Sequence, residues 1–220
     1  MKRTLKGLLV ACVLSIFSLS AHAQKTVVVI PMFEDAPTKK TVFVTSTVYT
    51  GDFVSAANAL ANVTGLTDGL TAGDALCQSR AEAAGLDGTY KAWLSTSSSD
   101  AIRMLSETAG PWVRTDGVKV VDNKAEFASG TLQAPINKTE YGEDVNPNSN
   151  PDFYELPWTG TEQDGERFDN TGDYQCNGWT SSSPSDDGTY GDAGESDDDW
   201  TSSNFSSCGP ATSSLYCMEY

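Results

Sequence analysis

Histidine is nearly missing from this chain: there is one in 220 residues, His22. Basic residues are also scarce, 14 against 30 acidic ones, for a formal charge of −16. The first 23 residues are laid out as a secretory leader. Lys2, Arg3 and Lys6 open it, a mostly apolar run from Leu8 to Leu19 follows, and Ala21-His22-Ala23 is a small-x-small cleavage site. Cutting there removes His22, three of the basic residues and Cys12, and takes the charge to about −19. With no imidazole left, Ser-His and Cys-His catalytic pairs and His-ligated zinc are excluded. The shortage of positive charge excludes nucleic acid, heparin-like polyanions and anionic membranes as partners. No stretch supplies the roughly 20 apolar residues of a transmembrane segment, since Ser15, Ser18 and Ser20 interrupt the leader itself. A lipid anchor at Cys12 would leave only Gly7 to Ala11 as apolar stretch, so cleavage before Gln24 and secretion or release to the periplasm are expected, without a retained anchor.

What remains is roughly 200 residues, enough for one domain with a real core. It keeps four cysteines, Cys77, Cys176, Cys208 and Cys217, for which disulfide pairing is the default in an exported chain. Three connectivities are open to four cysteines. After a lead-in over 24–40, residues 41–45 are rich in β-branched side chains and predict a strand. Residues 56–61 suggest one helical turn. The clearest helix spans 71–84: Thr71 caps it, Asp74 lies three residues on, Gly85 stops it, and Leu76, Cys77, Ala81 and Ala84 form its inward stripe. Residues 90–94 alternate as a strand, 100–105 suggest a short helix, and Asp116-Gly117 predicts a two-residue hairpin within 113–121. Residues 133–157 read as a long irregular loop, 158–161 resume order, 180–203 are dominated by Ser, Asp and Gly, and 214–218 form a closing strand.

Residues 75–94, ALCQSRAEAAGLDGTYKAWL, resemble the helix and following strand of the collagen-derived endostatin domain. Trp158-x-Gly160, Asp164-Gly165, Tyr174-x-Cys176, Trp179, Ser207-Cys208 and Leu215-Tyr216-Cys217-Met218-Glu219 follow in the same order. A secreted bacterial endostatin-like domain family of unknown function is more similar still, over 41–220. The resemblance implies an α+β, C-type-lectin-like fold of mixed, mainly antiparallel sheets with packed helices. It also implies two nested disulfides, Cys77–Cys217 and Cys176–Cys208. The relatives' ligand sites do not carry over. Endostatin's arginine cluster has no counterpart around Glu166-Arg167, and its zinc histidines are absent. The calcium-lectin signature fails at Asn146-Pro147-Asn148, which lacks the acidic residue, and at Trp200, followed by Thr201-Ser202.

Two candidate sites come from the residues themselves. Asp186, Asp187, Asp192, Glu195, Asp197, Asp198 and Asp199 crowd one Gly-containing segment. A weak Ca2+ site is the sharp reading and a solvated acidic loop the plainer, favoured one. Trp93 and Trp158 read as core; Trp179 and Trp200, beside polar tracts, and Tyr190 between glycines are the ligand-stacking candidates. No nucleophile elbow or phosphate loop is present, so no enzyme is expected. The expected role is an exported, non-enzymatic binding or adhesion module for a glycan or protein. A structural acidic protein of an envelope or matrix is the alternative.

Overall fold

Alternation along strand β1, Lys40–Val44, organises the molecule: Val42 and Val44 point to one side, Phe43 to the other, and all three are fully buried. A strand buried on both faces needs a layer above and a layer below. The computed structural model describes residues 38–145, 155–168, 173–209 and 212–220. The leader, nearly all of the lead-in and Asn146-Pro147-Asn148 lie outside the described residues. The described residues belong to one compact unit, Asp35–Tyr220.

Strand β1 is the centre of a five-stranded sheet ordered β2-β7-β1-β3-β4, with β2 at Tyr90–Ala92, β3 at Trp112–Arg114, β4 at Lys119–Val121 and β7 at Tyr216–Glu219. It runs parallel to β3 and antiparallel to β7, and all other neighbours in the sheet are antiparallel. A second sheet pairs β5, Asp187–Tyr190, with β6, Asn204–Ser207, again antiparallel. The fold is therefore α+β with mainly antiparallel sheets.

One face of the large sheet is covered by helices α1, Phe53–Asn58, and α2, Gly69–Ala84. Helix α2 starts two residues before the expected Thr71. Its cap is Asp68, whose carboxylate accepts both the Thr71 N–H at 2.8 Å and the Thr71 hydroxyl at 2.6 Å. Gly69 opens the helix, at some cost in propensity, because it lies against another backbone. A Cβ there would sit 2.0 Å from the Gly178 carbonyl oxygen. Gly85 ends the helix as expected, left-handed at φ 71, with Gly85 N–H on Glu82 O and Leu86 N–H on Ala81 O. Ala72, Leu76, Cys77 and Ala81 form its buried stripe; Ala84 is only half-buried. Two α2 side chains also close the outer edge of β2. Gln78 Oε1 accepts the Tyr90 N–H and Asp74 Oδ1 the Ala92 N–H, each at 2.9 Å. An edge satisfied in this way does not recruit another strand.

The opposite face packs rings from the sheet itself, Trp112 of β3 and Tyr216 of β7, against Trp93, Phe127 and Trp200 from short turns and connections, with neighbouring centroids 5.2–5.7 Å apart. The short helix expected over 100–105 is a 3-10 turn, Ala101–Met104, and a third helix, α3 at Lys124–Phe127, delivers Phe127. The β3–β4 turn closes on Arg114 and Val118, so its loop is three residues, Thr115 to Gly117. Gly117 takes the left-handed position at φ 85. A residue in that conformation is what a three-residue hairpin loop demands.

Cys77–Cys217 ties α2 to β7, and Cys176–Cys208 ties the start of a tight turn to the end of β6, with Cα separations of 5.4 and 5.7 Å. The pairs are those the resemblance implies. "Nested" is corrected to chain order alone, because the two bridges staple different pairs of elements rather than enclosing one another. That turn, Cys176–Trp179, is left-handed throughout: φ is 48, 53, 67 and 64 at Cys176, Asn177, Gly178 and Trp179. Three non-glycine residues there each cost about 1–2 kcal/mol. The bridge at one end and a buried Trp179 at the other hold the turn.

Candidate ligand groove

The left-handed turn decides the fate of Trp179, since it swings the ring inward. Trp179 is 0% exposed, stacks on Phe53 at 5.1 Å and 14°, and donates from Nε1 to Ser95 O at 2.7 Å. Trp200 is likewise 0% exposed, packed among Trp93, Phe127 and Tyr216. Both expected surface tryptophans are therefore core. Polar neighbours in the sequence do not bring these rings to the surface, because each packs against other rings. Tyr190 is half-buried, edge-on to Trp158 at 6.4 Å, with its hydroxyl pKa raised by burial and by nearby Asp192. Trp93 and Trp158 are core, as read from their strand context.

The acidic segment is spread out by its own turns. Asp186 accepts the Ser181 hydroxyl at 2.5 Å, Asp192 the Gly194 N–H at 2.8 Å, and Asp197 the Asp199 N–H at 3.3 Å as cap of the 3-10 turn Asp198–Trp200. Asp187 sits in β5 opposite Ser207, while Glu195, Asp198 and Asp199 are exposed. Among the described residues no group of three His, Cys, Asp or Glu side chains is placed to hold a metal ion.

The surface that does gather aromatic side chains lies on the second sheet. Phe168, Tyr174 and Phe205 stack edge to face, with centroids 5.2 and 5.1 Å apart. Each comes from a different segment, and backbone bonds fix all three. Phe205 lies on β6 opposite Thr189 of β5, the Thr189 N–H donates to Tyr174 O at 2.9 Å, and the Phe168 N–H donates to Gly160 O at 3.0 Å. Gln175 Nε2 adds a bond to Phe168 O at 3.2 Å. Phe205 remains 50% exposed although its neighbours on either side are polar. Beside it runs a groove of about 190 Å³ lined by Phe168, Thr189, Ser202, Ser203, Asn204 and Phe205. No ionisable side chain lines it, in a chain with 30 acidic residues.

Thr189 is the unusual member. It is 1% exposed, and its hydroxyl has no hydrogen-bond partner. A buried unpaired hydroxyl costs about 1–3 kcal/mol, and Thr189 carries that cost beside the groove. The Asn204 side chain accepts the Phe205 N–H at 2.9 Å, which holds its amide at the rim. The arrangement suits a ligand with an apolar face for the rings and hydroxyls for the Thr, Ser and Asn edge. None of these residues stood out in the sequence. The available signal was an aromatic residue between Asn204 and Ser206 with no other apolar residue near it, a pattern that excludes a core strand.

No family model and no curated protein matches the chain.

Proposed function

We propose that this chain is an exported, non-enzymatic binding module of the endostatin-like, C-type-lectin-like class. Its ligand is a neutral glycan, read one ring at a time in the Phe168–Phe205 groove. The carrying observation is an uncharged groove flanked by aromatic rings, with the unpartnered Thr189 hydroxyl buried in one of its lining residues. A sugar ring offers the two surfaces this site wants, a C–H face for an aromatic side chain and hydroxyls at its edge. The groove is smaller than the roughly 300 Å³ at which drug-sized pockets begin, which suits a single terminal ring. The motif order from residue 75 to the C-terminus supports the fold class. The two disulfides and the leader sequence support export.

The test is a neutral-glycan array followed by titration of the best hit into wild type, Phe205→Ala and Thr189→Val. Both variants are expected to lose at least tenfold in affinity. Phe205→Ala should melt close to wild type because the ring is half exposed, and Thr189→Val should melt no lower, because it removes an unmet hydroxyl. A blank array, or binding indifferent to both substitutions, sinks the reading and favours the acidic structural protein.

A further inference from the structure

A second cavity, independent of the groove, lies on the helical side of the molecule. It measures about 270 Å³ and sits between α2, β2 and the 3-10 turn. Leu70, Leu94 and Met104 supply apolar wall, Ser99 a hydroxyl, and Asp74 a carboxylate. Asp74 is spent on one side only: Oδ1 accepts the Ala92 N–H at 2.9 Å. None of the ion pairs among the described residues involves it.

The other charged groups facing this cavity are engaged elsewhere. Asp100 is held by Arg103 Nε at 2.6 Å, by the Arg167 N–H at 3.2 Å and by the Arg167 guanidinium at 3.6 Å. The Arg103 side chain is 74% exposed and points out along that pair. The Lys91 ammonium lies over the Tyr220 ring, 4.2 Å from its centroid. Asp68, which caps α2, adds negative charge nearby. Asp74 is thus a half-buried carboxylate that makes no ion pair among the described residues. Burial, with a smaller push from Asp68, lifts its pKa to about 6 against the favourable Ala92 N–H and Lys91.

We propose that this cavity is a receptor for a primary ammonium group on a short aliphatic stem, the chemistry of a lysine side chain. Asp74 Oδ2 takes the charge, the Ser99 hydroxyl accepts a further N–H, and Leu70, Leu94 and Met104 flank the stem. A guanidinium fits less well, since its planar fork is met best by two free carboxylate oxygens and one lone pair of Oδ1 already holds the Ala92 N–H. A divalent cation fits less well again, because it wants several free oxygens and those of Asp100 are taken by arginines.

The probe is n-butylammonium, with butan-1-ol and N-butylguanidinium as controls, followed by NMR on the full-length chain at pH 7.5. Butylammonium should bind with a dissociation constant on the order of 1–10 mM. It should shift the Ala92 and Leu94 amide signals and lower the Asp74 carboxyl pKa. The alcohol should bind at least tenfold more weakly, and the guanidinium no tighter than the amine. At pH 4.5, where Asp74 is protonated, wild type should lose at least tenfold, and Asp74→Asn should lose binding at both pH values. If that variant does not fold, the alcohol and pH comparisons on wild type decide. Equal binding of the alcohol, binding indifferent to pH, tighter guanidinium binding, or signals that move only outside the cavity would each overturn the assignment.

Discussion

The two faces of the central sheet carry the same number of buried rings and differ in what ties them down. The helical face holds Phe43, Phe53, Tyr90, Trp158 and Trp179, but its cluster also contains Ala57, Ala72, Ala81 and Ala92 and all four cystine sulfurs. The opposite face packs Trp93, Trp112, Phe127, Trp200 and Tyr216 and has no cysteine. The difference follows from what covers each face. A helix presents a periodic stripe, and small residues let it lie close to the sheet, where a bridge reaches across. The short turns on the other side present no such stripe, and the rings there pack against one another without a bridge. One face is tied covalently as well as packed, and the other is held by packing.

The largest expected effects break the covalent side. Replacing Cys77 and Cys217 together with alanine removes a crosslink spanning 140 residues, which loop-closure entropy values at about 5 kcal/mol. The same change at Cys176 and Cys208, spanning 32, removes about 4 kcal/mol by that argument. It also frees the left-handed turn, whose release recovers part of that loss. Urea unfolding under oxidising conditions should therefore rank the first double variant as clearly less stable. The reverse order would mean that the turn and second sheet, rather than the α2–β7 contact, hold the structure together.

Tryptophan substitution sharpens the comparison at smaller scale. Trp179→Phe strands the buried Ser95 carbonyl that now accepts its indole N–H, whereas Trp200 Nε1 has no partner to lose. Both variants lose ring volume, but only the first creates an unmet polar group. Trp179→Phe should cost about 1–3 kcal/mol more than Trp200→Phe. Equal losses in urea unfolding would show that packing alone, not the indole bond, fixes these rings.

Local chemistry was legible in the sequence where it acts locally. Gly85 stops α2, Asp116-Gly117 turns the chain, and β1 and β7 fall within a residue or two of the strands read at 41–45, from its β-branched side chains, and at 214–218. The Thr71 cap was misplaced because Asp68 and Thr71 are both good caps, and the choice depends on Gly69 fitting beneath Gly178, a contact more than 100 residues away. Strand β5, Asp-Gly-Thr-Tyr, carries no apolar alternation and is defined by its pairing with β6. The burial of Trp179 depends on Cys176, Asn177 and Trp179 adopting positive φ, a conformation that among them only Asn favours. The groove was illegible for a further reason: Phe168, Tyr174 and Phe205 meet only after three separate segments have docked on the second sheet.

The smallest expected effect concerns the flaw that each face retains. The opposite face leaves the Trp200 N–H unmet, and the helical face leaves Asp74 charged and unpaired. The folded-state pKa of Asp74, about 6, lies above its ordinary 3.8, so the folded protein binds the proton more tightly than the unfolded chain. The sign follows from linkage. Stability from this group is fully present below about pH 4, falls as pH rises, and is lost above about pH 6. Asp74→Asn keeps an acceptor for the Ala92 N–H while removing the buried charge. It should gain about 1–2 kcal/mol over wild type at pH 7.5, and the gain should shrink towards zero by pH 3.5. Urea unfolding of both proteins at the two pH values measures it, the difference between them cancelling the other carboxylates. A variant less stable than wild type at pH 7.5, or a gain independent of pH, would mean that Lys91 leaves Tyr220 to neutralise Asp74 in solution. The helical face would then hold no unpaired charge, and the contrast between the two faces would reduce to the covalent ties alone.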